Sequence, residues 1–176
     1  MLTLLLKQGD LLDRFDLSKL RVIGSGSAPL SEFMVAGWKD RGVEIVNLFG
    51  SNEGVSLASG PREAPEPAKR ASWFPRFGHP GADFSNRMHE RLQTKLVSLE
   101  TGKPVDQPGE EGELLVKGPA VFEGYYGDTG EARDEVFDSE GYFRTGDLFM
   151  IAPEDENFLV FKGRAKDIII RGRGQR

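Results

Sequence analysis

Two apolar runs with a helical period between them dominate the first third of the chain. Leu20 to Ile23 form a short run that ends at Gly24, and Val43 to Phe49 form a nearly continuous one. Both read as strands, the second with the pattern of a strand covered on both faces. Between them, Phe33, Met34, Ala36 and Trp38 predict one buried helical face. Ser31 is placed to cap that helix, Leu30 and Val35 to staple it, and Gly42 to stop it. Strand, helix, strand predicts a parallel pair with a right-handed crossover. Ligands of open α/β sheets bind at the carboxyl ends of the strands. The turn after Ile23 and the run after Leu48 can therefore face one ligand together.

The pattern then changes. Five of the ten prolines (Pro61, Pro65, Pro67, Pro75 and Pro80) fall between Gly60 and Pro80, which predicts a surface connection without helix or central strand. Beyond it, short strand-like runs alternate with turns: 92–99, 112–117, 121–126, 141–144, 148–151 and 158–161. Thr101-Gly102-Lys103 and 153–157 read as hairpin loops. Runs at this spacing predict a small antiparallel sheet or barrel. The fold class expected is α/β followed by mainly antiparallel β, a parallel βαβ unit plus a small β-barrel-like subdomain. Met1 to Leu6, apolar but far too short to span a membrane, reads as the end of a core helix. An opening in mid-helix suggests a fragment.

Composition narrows the function classes. With 38% hydrophobic and 29% charged residues the chain suits a globular protein, and a net charge of −5 argues against general nucleic-acid binding. Basic residues gather late, at Lys162, Arg164, Lys166, Arg171, Arg173 and Arg176, either as a solvated edge or facing a phosphate. A nucleic-acid module would rest on that tail alone. No cysteine means no disulfide and no thiolate site, and His79 and His89 are too few for a histidine metal cluster. A cytoplasmic location fits.

Several residues could carry chemistry. Gly24-Ser25-Gly26 either builds a structural turn or lets backbone approach a flat or phosphorylated ligand. Phe49 is a core aromatic or a ring on which a purine stacks, with the Glu53 carboxylate four residues later. Asp147, in Thr145-Gly146-Asp147, either stabilises a turn or accepts hydrogen bonds from both vicinal hydroxyls of a ribose.

Four segments taken together are highly specific: Gly24-Ser25-Gly26-Ser27-Ala28-Pro29-Leu30, 47–54 (Asn-Leu-Phe-Gly-Ser-Asn-Glu-Gly), 142–148 (Tyr-Phe-Arg-Thr-Gly-Asp-Leu) and 161–167 (Phe-Lys-Gly-Arg-Ala-Lys-Asp). In this order they resemble the adenylate-forming superfamily, which includes acyl-CoA synthetases, aryl-CoA ligases, luciferases and peptide-synthetase adenylation domains. Gly112 to Pro119 and Gly124-Tyr125-Tyr126 match as fold markers.

The resemblance implies that Ser25, Gly26, Ser27 and Ala28 pack against adenine, with Asn47 near its edge. In the family motif of aromatic, Gly, any residue, Thr and Glu, the chain has Phe49, Gly50, Ser51, Asn52 and Glu53. The aromatic flanks adenine, the fourth position contacts the α-phosphate, and Glu53 helps hold Mg²⁺. Asn52 departs from the usual threonine, and Arg173 stands where relatives usually show glycine. Asp147 is implied to bind the ribose, Arg164 to reach the same sugar, and Lys166 to be the hinge. The division implied is 1–59, the end of a nucleotide-binding subdomain; 60–80, a connection; 81–162, a β subdomain; and 163–176, the hinge and the start of a C-terminal domain.

The activity implied uses ATP and Mg²⁺ to convert a carboxylic acid, preferably a fatty acid, into an acyl-adenylate, with CoA as the thiol that displaces AMP. The family's phosphate loop and its C-terminal lysine have no match, so a partial chain, inactive alone and open to self-association, is expected. Two alternatives stay open: a non-catalytic nucleotide-binding or interaction module, and an adenylation domain serving another thiol.

Overall fold

The computed structural model describes residues 1–26, 29–54, 56–82, 84, 91–127 and 136–167, with the side chain of Asp167 excepted. The chain divides into two compact units, Met1–Pro75 and Arg76–Arg176.

In the first unit, β1 (Val22–Gly26) and β2 (Glu44–Gly50) pair in parallel, and the helix α3 (Glu32–Asp40) connects them. The Ser31 side chain accepts a hydrogen bond from the Met34 N–H at 3.3 Å, the cap that its position predicts. Met34, Val35 and Trp38 are buried against Val43, Ile45, Leu12 and Ala71, while Leu2, Leu5, Leu6 and Leu30 pack on the rim. Phe33, expected on the buried face, is 57% exposed. Helical geometry turns the 34, 35 and 38 positions inward together, which leaves 33 outside.

Four further expectations change. β1 continues through Gly26 instead of ending at Gly24, because glycines fit against β2. A third strand, β3 (Ser56–Ser59), adds antiparallel to β2 and makes the sheet mixed. Only one face of β2 is well covered: Val43, Ile45 and Asn47 are buried, whereas Leu48 is 42% exposed. The helix α1 (Leu2–Leu6) holds no buried residue and packs on the rim of the core, to which α2 (Gly9–Leu12) contributes Leu12.

The proline-rich stretch is also more than a connection. It holds the helix α4 (Pro67–Ser72), with Pro67 in the first turn where its missing N–H costs nothing, and the short strand β4 (Trp73–Pro75). Arg70 of α4 is fully buried.

In the second unit, β5 (Gln93–Val97), β6 (Pro104–Val105), β7 (Glu111–Lys117), β8 (Phe143–Ile151) and β9 (Phe158–Arg164) lie in the order β9-β8-β7-β5-β6, each antiparallel to its neighbour. The order is linear, so the sheet is open and does not close into the barrel-like subdomain expected. Segments 141–144 and 148–151, expected as separate strands, belong to one strand bent by a bulge. Val121 to Tyr126 is not a strand; Phe122 instead packs edge-on to Phe143 and Tyr125, at 5.2 and 4.8 Å between ring centroids. Among the described residues no helix is long and apolar enough to cross a membrane.

The turn before β8 is fastened by charge. Lys95 of β5 donates to Asp138 at 2.6 Å and to Glu140 at 3.2 Å, and lies 4.3 Å from the centre of the Tyr142 ring. Burial alone would lower the Lys95 pKa, but the hydrogen bonds to Asp138 and Glu140 outweigh it and raise it. Burial likewise pushes Asp138 upward, and the Lys95 hydrogen bond with the Tyr142 and Glu140 N–H groups brings it below the usual carboxylate range. The depressed Asp138 stabilises the fold above its unfolded pKa and stops doing so as pH falls through its folded value; the raised Lys95 stabilises below its unfolded pKa and stops as pH rises through its folded value. Lys95→Met is therefore expected to cost about 1–2 kcal/mol in urea unfolding at neutral pH. The gap should close as pH falls through the folded pKa of Asp138, which lies below the usual carboxylate range. A gap that persists in acid would assign the effect to packing.

Candidate functional site

The first group of residues sits at the carboxyl ends of β1 and β2. Parallel register sets Ser25 beside Asn47 and Gly26 beside Leu48. A Cβ on Gly26 would lie 2.4 Å from the Leu48 carbonyl oxygen, so glycine is required there by strand packing alone. Ser27 and Ala28 lie outside the described residues.

Asn47 is buried, and its amide nitrogen donates to the carbonyls of Arg70 and Ala71 at 3.1 and 3.0 Å. Its two N–H groups thus hold the end of α4, a structural duty that the sequence did not reveal. Phe49 is half-buried, with the ring of Phe74 edge-on at 6.0 Å. Gly50 ends β2 exposed; Asn52 is exposed on the turn that follows, and Glu53 is half-buried. Together β1 and β2 bring Ser25, Gly26, Asn47, Phe49 and Gly50 to one end of the sheet.

The second group is on β8 and β9. Asp147 and Arg164 are direct cross-strand partners, and Arg164 Nε lies 3.1 Å from Asp147 Oδ1. The Asp147 side chain is 5% exposed and that of Arg164 62%. Asp147 lies inside the bent strand β8, and Arg164 is the last residue of β9. Lys166 is exposed in the 3₁₀ turn Ala165–Asp167 that follows β9. Arg171, Arg173 and Arg176 of the basic tail lie outside the described residues, while Lys162 pairs with Glu111 at 3.2 Å.

The bulge that carries Asp147 has its own scaffold. Glu113 faces Leu148 and Leu115 faces Arg144, so Leu114 alone stands opposite Thr145, Gly146 and Asp147. Gly146 takes φ of +71°, a conformation that L side chains rarely adopt. Thr145 Oγ1 donates to the Leu114 carbonyl at 2.8 Å and accepts from the Asp147 N–H at 3.1 Å. Glu113, 8% exposed, accepts from the Gly146 N–H at 3.2 Å and from Arg144 Nη1 at 3.1 Å. Sequence reasoning missed Glu113; a carboxylate inside an otherwise apolar strand was the available signal.

Glu53 is the carboxylate the sequence assigns to Mg²⁺. Among the described residues no group of three or more His, Cys, Asp or Glu side chains could hold a metal ion. A single carboxylate suits an Mg²⁺ that arrives on phosphate oxygens and keeps its waters, rather than a protein-made cage.

A model of the AMP-binding enzyme family matches residues 1–126. The chain belongs to the AMP-binding enzyme family. The chain is 32% identical over 169 residues to the 4-coumarate–CoA ligase-like 9 of Arabidopsis thaliana, an alignment covering 93% of the chain and 27% of that protein. It is 46% identical over 78 residues to the nonribosomal peptide synthetase btyA of Aspergillus terreus, covering 44% of the chain and 8% of that protein. The ATP-bound MatB of Rhodopseudomonas palustris superposes with a TM-score of 0.63 at 26% identity, covering 87% of this chain and 27% of that one. The chain thus spans about a quarter of the length of the CoA ligase-like relative.

Proposed function

We propose that this chain supplies the adenosine-binding part of an ATP-dependent, AMP-forming acyl-CoA synthetase. The observation that carries the reading is Asp147, a buried carboxylate held on a bulge beside the Arg164 guanidinium in a chain of the AMP-binding family. A carboxylate so fixed accepts hydrogen bonds from two vicinal hydroxyls without reorganising. Arg164 reaches the same sugar, and Lys166 lies at the hinge. Phe49 flanks the adenine, and the glycines of β1 leave room for its face. Asn47, its N–H groups committed to α4, has only its amide oxygen left to offer the base.

In the complete reaction the oxygen of a carboxylic acid attacks the α-phosphorus of ATP, the bond to the bridging oxygen breaks, and pyrophosphate leaves. The thiolate of CoA then attacks the acyl carbon and AMP leaves. Asn52 donates toward the α-phosphate, and Glu53 would hold a Mg²⁺ ion arriving with ATP, whose charge would offset that of the phosphates. The acid is a fatty or other organic acid rather than an amino acid, and the setting is cytoplasmic. Two other readings have support. A peptide-synthetase relative favours an acceptor thiol other than CoA. Asn52 in place of threonine favours a non-catalytic nucleotide-binding module.

Calorimetric titration of the chain with AMP and with ATP·Mg²⁺ tests the adenosine reading. Asp147→Ala is expected to weaken AMP by about tenfold or more, the value of a charge-assisted hydrogen bond. Equal affinity in the two proteins, or no binding by the folded chain, would sink it.

A further inference from the structure

We infer that Glu113 is the positioning residue for the ribose-binding carboxylate, an inference that rests on the adenosine reading of Asp147. Burying a carboxylate inside a strand is costly unless both oxygens find donors. Glu113 lies in β7 between Gly112 and Leu114, all buried, and each of its oxygens accepts one bond. One bond goes to a side chain, the guanidinium of Arg144, which is 40% exposed. The other goes to backbone, the N–H of Gly146, next to Asp147 in the chain.

That second bond matters for the bulge. The extra residues of β8 lose their partners on β7, and side chains take the N–H groups of Gly146 and Asp147. Thr145 takes the Asp147 N–H and Glu113 takes the Gly146 N–H. The two residues together fix the peptide planes on both sides of Gly146, and so the direction in which Asp147 leaves the strand. Glycine at this positive φ has no side-chain restraint of its own, so the Glu113 clamp supplies it. Thr145 is anchored by Leu114, and Glu113 is the other anchor, reaching across from the neighbouring strand. Glu113 acts through Asp147.

The discriminating readout is the preference for a ribose over a sugar without hydroxyls. AMP and 2′,3′-dideoxy-AMP share base and phosphate, so their affinity ratio reports the contacts to the ribose hydroxyls, and Asp147→Asn isolates the carboxylate's share. The wild-type chain is expected to prefer AMP by about tenfold or more, and Asp147→Asn to abolish most of that preference. Glu113→Ala should likewise bring the ratio close to one while dideoxy-AMP affinity stays within about threefold of wild type. Glu113→Gln, whose amide oxygen still accepts from Gly146, should retain most of the ratio, as should Arg144→Gln. Glu113→Asp keeps the charge but shortens the reach by one methylene, and gives the same collapse if the alanine variant does not fold.

Each outcome decides. If Asp147→Asn collapses the ratio but Glu113→Ala and Glu113→Asp preserve it, the positioning role is wrong and the adenosine reading stands. If Glu113→Ala weakens both ligands equally, Glu113 serves only the fold and the inference is overturned. If the wild-type chain does not distinguish the two nucleotides, or binds neither, the adenosine reading fails and the inference fails with it.

Discussion

Arg70→Met is expected to lower the stability of the first unit by about 3–5 kcal/mol, the largest effect of any single substitution there. The guanidinium is fully buried and held by donation alone. Its Nε donates to the Ala64 carbonyl at 2.8 Å and its Nη2 to that of Pro65 at 2.9 Å, while Nη1 pairs with the Glu44 carboxylate. Methionine matches much of the stem's volume but donates nothing. The carbonyls of Ala64 and Pro65 and the carboxylate of Glu44 would then lose their donors together. Hydrogen bonds to charged groups contribute more than neutral ones, so the loss exceeds that of an ordinary surface pair. Asn47 holds the carbonyl of the same Arg70, so loosening α4 also releases Asn47, the residue proposed to lie beside the adenine edge. Urea unfolding measures the effect. A change below about 1 kcal/mol would mean that water replaces the guanidinium and that the network is not a keystone.

Phe149→Ala is expected to cost the second unit a similar amount, about 3–5 kcal/mol. Phe149 is fully buried in β8, between Gly112 of β7 and Phe161 of β9, and meets the Phe161 ring edge-on at 5.4 Å. Truncation opens a cavity that these neighbours cannot fill, because a Cβ on Gly112 would already lie 2.8 Å from the Val97 carbonyl oxygen. Asp147 lies two residues away on the same strand, so AMP affinity should fall with stability. Phe149→Leu, which keeps most of the volume, should lose less than half as much. Equal losses in the two variants would show that the ring's shape, not the cavity, sets the cost.

What could be read from sequence was local. The strand–helix–strand order, the Ser31 cap, the buried Val35 and Trp38 and the two hairpin loops follow from period and turn chemistry within a few neighbouring positions. The resemblance implies that Asp147 and Arg164 reach the same sugar, whereas their direct cross-strand pairing comes from the register of β8 and β9. The errors have a common origin. Five prolines between Gly60 and Pro80 argue against a helix, yet Pro67 stands in the first turn of one, where proline is compatible. Val121 to Tyr126 looked like a strand because aromatic residues favour strands, whereas these pack as side chains against Phe143. The barrel was expected from strand spacing, which cannot say whether a sheet closes.

By itself, then, the sequence determined the parallel βαβ unit, the later run of antiparallel strands and the adenylate-forming motifs, because each is written in the chemistry of adjacent residues. Only the tertiary structure decided that β3 extends the first sheet, that the second stays open, that Arg70 and Asn47 join α4 to β2, and that Glu113 braces the bulge under Asp147. Those outcomes depend on which donors and acceptors, distant in the chain, are buried together. Hydrophobic period carries no record of that.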